Sequence, residues 1–435
     1  MAPTGDTTQE IVRIDGLAHD GRGVARRKGK AVFVAGALPG EDVSIRLLRE
    51  RNSHDEAVLV SVIGASPERV VPPCPHARDC GGCNLQHLAP QAQLASQQQR
   101  LADTLKRIGN LAPKHWMAPV SSAPWHYRSR ARLAVTRNRQ DGSVELGFRR
   151  EESTRIEPIE ECPVLVPELS ALPARMRKAL QSLQGPVLPQ EIWLAAGDDG
   201  IALGFCSRST LSTQDRSILR ELGEELQALT GFGILSSPHV RHWETPAPQL
   251  HYSPEPGVRL AFAPWDFTQA NRAVNEALVQ RVIEVLAPTT DDAVLDLFCG
   301  IGNFSLPLAR RARRVLGIEG SAAQVTAAAE NARTNGIDNA AFLAADLFRP
   351  ESLEAMPRKT FSLAVIDPPR AGAALLCEKL HTLGLRRIAY VSCDAATLAR
   401  DARTLSAKGF RLLSAGVLQM FPHTSHAESL ALFAR

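Results

Sequence analysis

The sequence predicts three unlike domains in series: a small N-terminal β-barrel, a central α+β domain, and a C-terminal α/β domain on a doubly wound, Rossmann-like parallel sheet. Three observations carry this. Residues 10 to 66 alternate apolar and polar positions between glycines, the period of half-buried strands. From residue 262 onward, apolar strand-like runs alternate with helical stretches, the pattern of parallel strands joined by crossover helices. Proline-rich stretches at Pro67–Pro73 and Pro246–Pro256 read as linkers and divide the chain into 1–68, 69–255 and 256–435. A length of 435 residues also exceeds what one core ordinarily sustains.

Composition narrows the class. With 44% hydrophobic and 22% charged residues the chain reads as soluble and globular. No run of about 18 apolar residues is present, so no membrane-spanning helix is expected. Met1–Gln9 is polar and lacks the apolar stretch of a secretory signal, so a cytoplasmic location is expected. The net charge of +4 is mild, and its distribution is more informative.

In the first domain Ile11, Ile14, Val24, Val32-Phe33-Val34, Val43, Ile45, Val58, Val60 and Val62 are spaced for about five short strands. The basic run Arg26-Arg27-Lys28-Gly29-Lys30 suits either phosphate contacts or a solvated face.

In the second domain Cys74, Cys80 and Cys83 fall within ten residues, and Cys162 follows in Glu161-Cys162-Pro163. Disulfides do not suit a cytoplasmic chain, which leaves zinc or an iron–sulfur cluster. Zinc knuckles usually show two Cys-x2-Cys pairs. Three close cysteines with one distant partner fit a [4Fe–4S] cluster better, and zinc stays open. Gln91 to Arg107 reads as a polar helix and Leu169 to Gln184 as a second helix. Arg132–Thr136 and Glu191–Ala195 read as strands. Eight arginines against four acids between Trp125 and Arg155 form a second basic region. Trp125, Tyr127, Phe148 and Trp265 are candidates for stacking on bases, with core packing as the alternative.

In the third domain five strands are expected, at 294–298, 315–319, 341–345, 363–367 and 387–392. Asp296-Leu-Phe-Cys-Gly-Ile-Gly-Asn303 is a strand opening into a glycine turn and then a helix. Glycines there permit close backbone approach by a ligand. Gly300-Ile-Gly302 lacks the third glycine of dinucleotide-binding dehydrogenases. Glu319 closes the next strand, where an acid holds ribose hydroxyls. Asp346 follows the third strand, where a side chain meets an adenine, and Asp367 ends the fourth. Ligands of open α/β sheets sit at these strand ends. The pattern points to S-adenosylmethionine. Asp367-Pro-Pro-Arg370 is similar to the Asn/Asp-Pro-Pro-aromatic loop of amino-methylating enzymes, but Arg370 replaces the aromatic residue, which argues against an exocyclic amine as target.

Cys393, in Tyr390-Val-Ser-Cys-Asp394, sits at an expected strand end. Transfer of a methyl group to nitrogen or oxygen needs no enzyme nucleophile. C5 of a pyrimidine is too weak a nucleophile alone, and a thiolate adding to C6 activates it. A base must then remove the C5 proton. Glu428, in Phe421-Pro-His-Thr-Ser-His-Ala-Glu428, is the candidate, just before an apolar run, Ser429 to Phe433, expected as an edge strand. His423 and His426 are either positioning groups or merely exposed. Cys206, Cys299 and Cys377 are expected to be buried structural thiols.

Together these motifs resemble the bacterial RNA uracil-C5 methyltransferases. The resemblance rests on the barrel, similar to a TRAM domain of OB-like type, and on the Cys-x5-Cys-x2-Cys group. It rests further on Phe267-Thr-Gln-Ala-Asn271, Asp296 to Phe304, Asp367 to Gly372, Ser392-Cys393 and Phe421 to Glu428, and covers nearly the whole chain. It implies that Gln269, Phe298, Asn303, Glu319, Asp346 and Asp367 contact S-adenosylmethionine, that Cys393 is the nucleophile, and that Glu428 accepts the proton. It also implies that Cys74, Cys80, Cys83 and Cys162 hold a [4Fe–4S] cluster. Within the family, barrel and cysteines together are similar to the members directed to 23S rRNA, which implies a uridine turned out of an rRNA loop and a monomeric enzyme. A tRNA substrate, two rRNA sites, or RNA binding without catalysis are the alternatives. Ala395 stands where many members have proline.

Overall fold

The computed structural model describes residues 9–151, 153–235, 241–243, 248–354 and 360–435. Most of the polar N-terminal segment, and residues 246–247 of the expected second linker, lie outside the described residues.

The first five strands, Glu10–Leu17, Gly23–Arg27, Lys30–Ala35, Asp42–Glu50 and His54–Gly64, close into a barrel. Lys30–Ala35 pairs in parallel with His54–Gly64, and the other pairings are antiparallel. Ile14, Val32, Val34, Val43 and Ile45 fill its interior, as the alternation requires. The basic run is partly neutralised. Arg27 pairs with Glu10 at 2.7 Å and Lys30 with the buried Asp55 at 2.5 Å. For these two residues an ion pair, not a free basic face, is the correct reading.

The central sheet runs Arg241–Trp243, Ala228–Leu235, Gly200–Ser207, Glu191–Gly197, Arg130–Arg137, Val144–Arg149, Ile156–Pro158. One face is covered through Met176, Leu180, Leu219 and Leu222 of the helices Leu172–Gln181 and Thr213–Glu225. The expected helix over 169–184 is broken. Pro167–Ser170 is a short turn of helix, and the chain restarts after Ala171 because Pro173 suits only a first helical turn. The expected linker at 246–256 is also corrected: Leu250–Glu255 pairs with Val258–Phe262 in a hairpin. That hairpin wedges between Ala195 and Ala202 of the central sheet and Ile301, Leu306 and Ala332 of the C-terminal region.

The C-terminal sheet has the order Ala340–Ala344, Arg314–Glu319, Ala293–Leu297, Leu363–Ile366, Arg387–Ser392, Glu428–Ala434, Arg411–Leu418, His115–Trp116. The first five strands are parallel, as their continuous apolar runs predict. Glu428–Ala434 is not an edge strand. It lies antiparallel between Arg387–Ser392 and Arg411–Leu418, and all seven of its residues are buried. The polar helix forms over Pro90–Thr104 and packs on this sheet through Leu101, while Leu105 continues the contact. Among the described residues no helix is long and apolar enough to cross a membrane.

Candidate active site

A cavity of about 720 Å³ opens at the carboxyl ends of the parallel strands. Gln269, Phe298, Asn303, Glu319, Asp346, Asp367, Cys393 and Glu428 all line it. Residues spread over 160 positions of sequence thus meet in one place because strand ends of a parallel sheet converge on one edge.

The turn after Ala293–Leu297 begins with Phe298 at φ 68°, a region costly for a side chain-bearing residue, and continues through Gly300 at 55° and Gly302 at 101°. The Gly300 amide donates to Glu319 at 3.3 Å, and the Ser321 amide donates to its other carboxylate oxygen at 3.0 Å. Glu319 is thereby held at the cavity wall. Asn303 exchanges two hydrogen bonds with the buried Asn275, at 2.9 and 3.0 Å, and accepts a third from Tyr252 at 3.1 Å. Asp346 accepts from the Phe348 amide at 2.9 Å, and the Phe348 ring lies 5.7 Å from Phe298. Gln269 sits in a loop pinned by Arg130, whose guanidinium donates to the carbonyls of Asp266 and Thr268. Asn271 ends that loop as N-cap of the helix Arg272–Leu286.

Asp367, Cys393 and Glu428 stand in the wall of the same cavity. Strands Leu363–Ile366 and Arg387–Ser392 are parallel, so Asp367 and Cys393 leave them on one edge. Glu428–Ala434 runs the opposite way and begins at that edge. Ser392 pairs with Ser429, and Cys393 and Glu428 each lie one step beyond that pair, close enough for the Glu428 charge to act on the Cys393 thiol. Burial pushes the Glu428 carboxyl up to about 8, with the charge of Asp367 adding and Arg370 opposing. Burial likewise pushes the Cys393 thiol up to about 11, with Glu428 and Asp367 adding and Arg370 opposing. Asp367 is raised to about 7 by burial. A raised carboxyl in a cleft is a stronger base than a free one, the property a proton acceptor needs. Asp394 caps the next helix, Ala395–Ala407, accepting from the amides of Ala396 and Thr397 at 2.9 Å. Ala395 is its first residue, a position where proline and alanine are both accommodated.

Comparison with known proteins follows this geometry. The tRNA (Uracil-5-)-methyltransferase family matches residues 260–435, and the TRAM domain matches residues 7–52. The chain is 42% identical over 432 residues to the 23S rRNA (uracil(1939)-C(5))-methyltransferase RlmD of Alcanivorax borkumensis, covering 98% of this chain and 97% of that one. The chain belongs to the RNA uracil-C5 methyltransferase family. The enzyme of the same description from Acidithiobacillus ferrooxidans is also 42% identical, covering 100% of this chain and 99% of its own. A solved structure of the Pyrococcus abyssi tRNA (uracil-54, C5)-methyltransferase with S-adenosyl-L-homocysteine superposes with a TM-score of 0.75. It is 25% identical and covers 98% of this chain and 100% of that one. The N-terminal barrel is therefore a TRAM domain, and the C-terminal sheet has the S-adenosylmethionine-dependent methyltransferase fold.

For an RNA uracil-C5 methyltransferase the arginines deserve separation by place. Arg128 and Arg130 line the 720 Å³ cavity. The other six of the 125–155 region, with Arg208, line a second, open groove of about 1990 Å³ over the central sheet, where the acids among the described lining residues are Glu145 and Glu191. Of the expected stacking residues, Trp125 stacks on His423 at 3.9 Å and Trp265 on Trp243 at 3.8 Å, and Tyr127 is buried. Phe148 lines the groove. The sequence reading missed Phe267, 68% exposed at the cavity wall, and Tyr252, which lay in the supposed linker.

Cys74, Cys80, Cys83 and Cys162 do not line either wall of the donor cavity. Burial, then the charges of the other cysteines, raises Cys80 to about 11 and Cys83 to about 12, and burial raises Cys162. Cys80 feels Cys162 and Cys74, and Cys83 feels Cys162 and Cys80, so the four thiols share one neighbourhood. Gly81 lets the loop meet the strand Val144–Arg149: its amide donates to Arg149 at 3.0 Å, and a Cβ there would lie 2.8 Å from that carbonyl. Among the described residues no three His, Cys, Asp or Glu side chains are arranged to ligate a single ion. Cys206, Cys299 and Cys377 are buried, although Cys299 also touches the cavity.

Proposed function

We propose that this protein transfers the methyl group of S-adenosylmethionine to C5 of a uridine in 23S rRNA, giving 5-methyluridine. The observation that carries the reading is that Cys393 and Glu428, each one step beyond the Ser392–Ser429 pair of neighbouring strands, line one cavity together with the expected donor-site residues. Gln269, Phe298, Asn303, Glu319, Asp346 and Asp367 hold the donor. The substrate follows from full-length similarity to enzymes described as acting on 23S rRNA.

The chemistry balances as follows. Cys393 gives its proton to solvent, and its thiolate adds to C6 of uracil, placing electron density on C5. C5 attacks the sulfonium methyl, and the neutral thioether of S-adenosylhomocysteine departs. Glu428 takes the C5 proton, the C5–C6 double bond reforms, and the thiolate is expelled. The uracil must leave its stack to reach the cavity. Arg128 and Arg130 line that cavity, and the strand Arg130–Arg137 continues outward to the groove arginines. At about 3.3 Å per residue that is a path of about 20 Å for RNA phosphates. Every group the step needs comes from one chain, which suits a monomer, and rRNA as substrate suits the cytoplasm.

Cys74, Cys80, Cys83 and Cys162 are the residues that would hold a [4Fe–4S] cluster, which would tie the cysteine loop to the central sheet. Their shared neighbourhood supports this. The methyl-transfer test is direct: labelled S-adenosylmethionine is offered with unmodified 23S rRNA, tRNA and DNA. Label in 5-methyluridine of the rRNA is expected; label only in tRNA or DNA, or none, would overturn the assignment.

A further inference from the structure

The loop leading into Glu428 is held from outside at almost every backbone group. Five consecutive carbonyls, 422 to 426, each accept a hydrogen bond from a residue between Leu85 and Tyr127. Tyr127 donates to Pro422 at 3.0 Å, the Leu85 amide to His423 at 2.9 Å, Gln97 to Thr424 at 3.2 Å and His426 at 2.9 Å, and Arg100 to Ser425 at 2.6 Å. Two amides are taken as well: His423 donates to Gln93 at 2.8 Å and Ser425 to Asn84 at 2.9 Å. His423 itself is at φ 66°, in the left-handed region, and its ring is stacked on Trp125. Such a conformation persists only where the surroundings over-determine it.

Gln93, Gln97 and Arg100 share one stripe of the helix Pro90–Thr104, at spacings of four and three. Gln93 and Gln97 are buried, which is rare for glutamine, and the Gln97 carbonyl oxygen has no partner among the described residues. A buried amide that leaves its own acceptor unmet, yet spends its donor on two carbonyls of one loop, packs badly as mere filler. Asn84 and Arg100 also reach the TRAM barrel, donating to Asp20 at 2.6 Å and His19 at 2.9 Å.

We propose that Gln97, with Gln93 and Arg100, is a positioning device for Glu428, and that it controls the last chemical step, removal of the C5 proton, without taking part in methyl transfer. This rests on the assignment of Glu428 as proton acceptor. The stripe fixes the loop from 422 to 426, the loop fixes where the strand Glu428–Ala434 begins, and so the carboxylate is aimed at C5. Misplacement of a catalytic group by about 1 Å costs on the order of a hundredfold in rate. Methyl transfer depends on Cys393 and the donor, which other strands carry.

The test uses the full-length enzyme, natural uridine RNA and methyl-labelled S-adenosylmethionine. Labelled RNA that stays covalently attached under denaturing conditions is counted. Glu428→Gln serves as reference, and Gln97→Leu removes the donor at similar volume. Gln97→Lys restores a donor, Arg100→Met is an independent break of the stripe, and Gln99→Leu is an exposed control. Gln97→Leu and Arg100→Met are expected to raise the methylated adduct at least tenfold over wild type, with single-turnover methyl transfer within threefold. Gln97→Lys should return toward wild type. If adduct stays at the wild-type level in both breaks, or methyl transfer falls in parallel with release, the positioning role is overturned. If Glu428→Gln also shows no adduct, the base assignment itself has failed, which is a separate and recognisable result.

Discussion

Replacing Glu428 by glutamine should make the protein more stable while it stalls the enzyme, and the gain should depend on pH. Glu428 is buried, and its carboxyl sits at about 8 against an ordinary value of 4.5. A raised carboxyl binds its proton more tightly folded than unfolded. Below about pH 4.5 both states are protonated and the carboxyl costs nothing. As pH rises from there to about 8 the unfolded chain ionises freely while the folded one resists, so the wild type loses stability. Above about 8 the loss is complete. The difference of about 3.5 pH units, at about 1.36 kcal/mol each, sets an upper figure of about 5 kcal/mol. Relaxation and water entry reduce this, and roughly 3 kcal/mol is a fair expectation at pH 9. For a domain of this size that raises the unfolding midpoint by roughly 5–10 °C. Glutamine has nearly the same shape and carries no charge, so Glu428→Gln should show the gain at pH 9 and almost none at pH 4.5. Thermal unfolding of both proteins without ligand, at four or five pH values, reads this directly. A stability difference that is flat with pH would refute the view that an ionised Glu428 is strained by burial. In the same variant turnover should fall by about 10²–10⁴.

Other consequences can be measured independently. Asp367 is raised to about 7 by burial, and a cationic donor held beside it, as proposed, would favour its ionised form. Binding of S-adenosylmethionine near pH 7 should therefore release protons, seen by calorimetry in buffers of different ionisation enthalpy; net uptake would contradict the placement. Asn275 orients Asn303 through two hydrogen bonds inside the core. Asn275→Leu should weaken donor binding about tenfold with folding retained, and an unchanged Kd would remove Asn303 from the donor site. Protein purified without oxygen should be brown and carry about four irons per chain, and Cys83→Ser should lose them. Colourless wild-type protein with one zinc would reverse the cluster assignment.

The candidate donor site is legible in the sequence because each of its separated parts carries a local signature: one glycine turn and single acids at the ends of apolar strands. Cys393 and Glu428 were readable as chemistry, but their meeting was not. An apolar run such as Ser429–Phe433 looks the same at an edge as in the interior, and only its two-sided pairing brings Glu428 to the end of the strand that Cys393 follows. The hairpin at 250–262 was hidden by Pro254 and Pro256, which flank its turn and resemble a linker. The buried Gln93 and Gln97 look like solvent-facing residues in the sequence, because the loop groups they bind are main-chain groups more than 300 positions away, which carry no side-chain signature. The break at Ala171 was signalled by Pro173, yet the apolar period continues across it.

The central claim is that Cys393 bonds covalently to C6 of an rRNA uridine. The most direct measurement is to incubate the protein with S-adenosylmethionine and cellular RNA containing 5-fluorouridine, then sequence what stays attached under denaturing conditions. Fluorine at C5 cannot leave as a proton, so the reaction halts with the protein linked. A fragment of 23S rRNA joined through Cys393, and lost in Cys393→Ala, is the predicted result. No attached RNA, with donor binding intact, would mean that Cys393 is not the nucleophile.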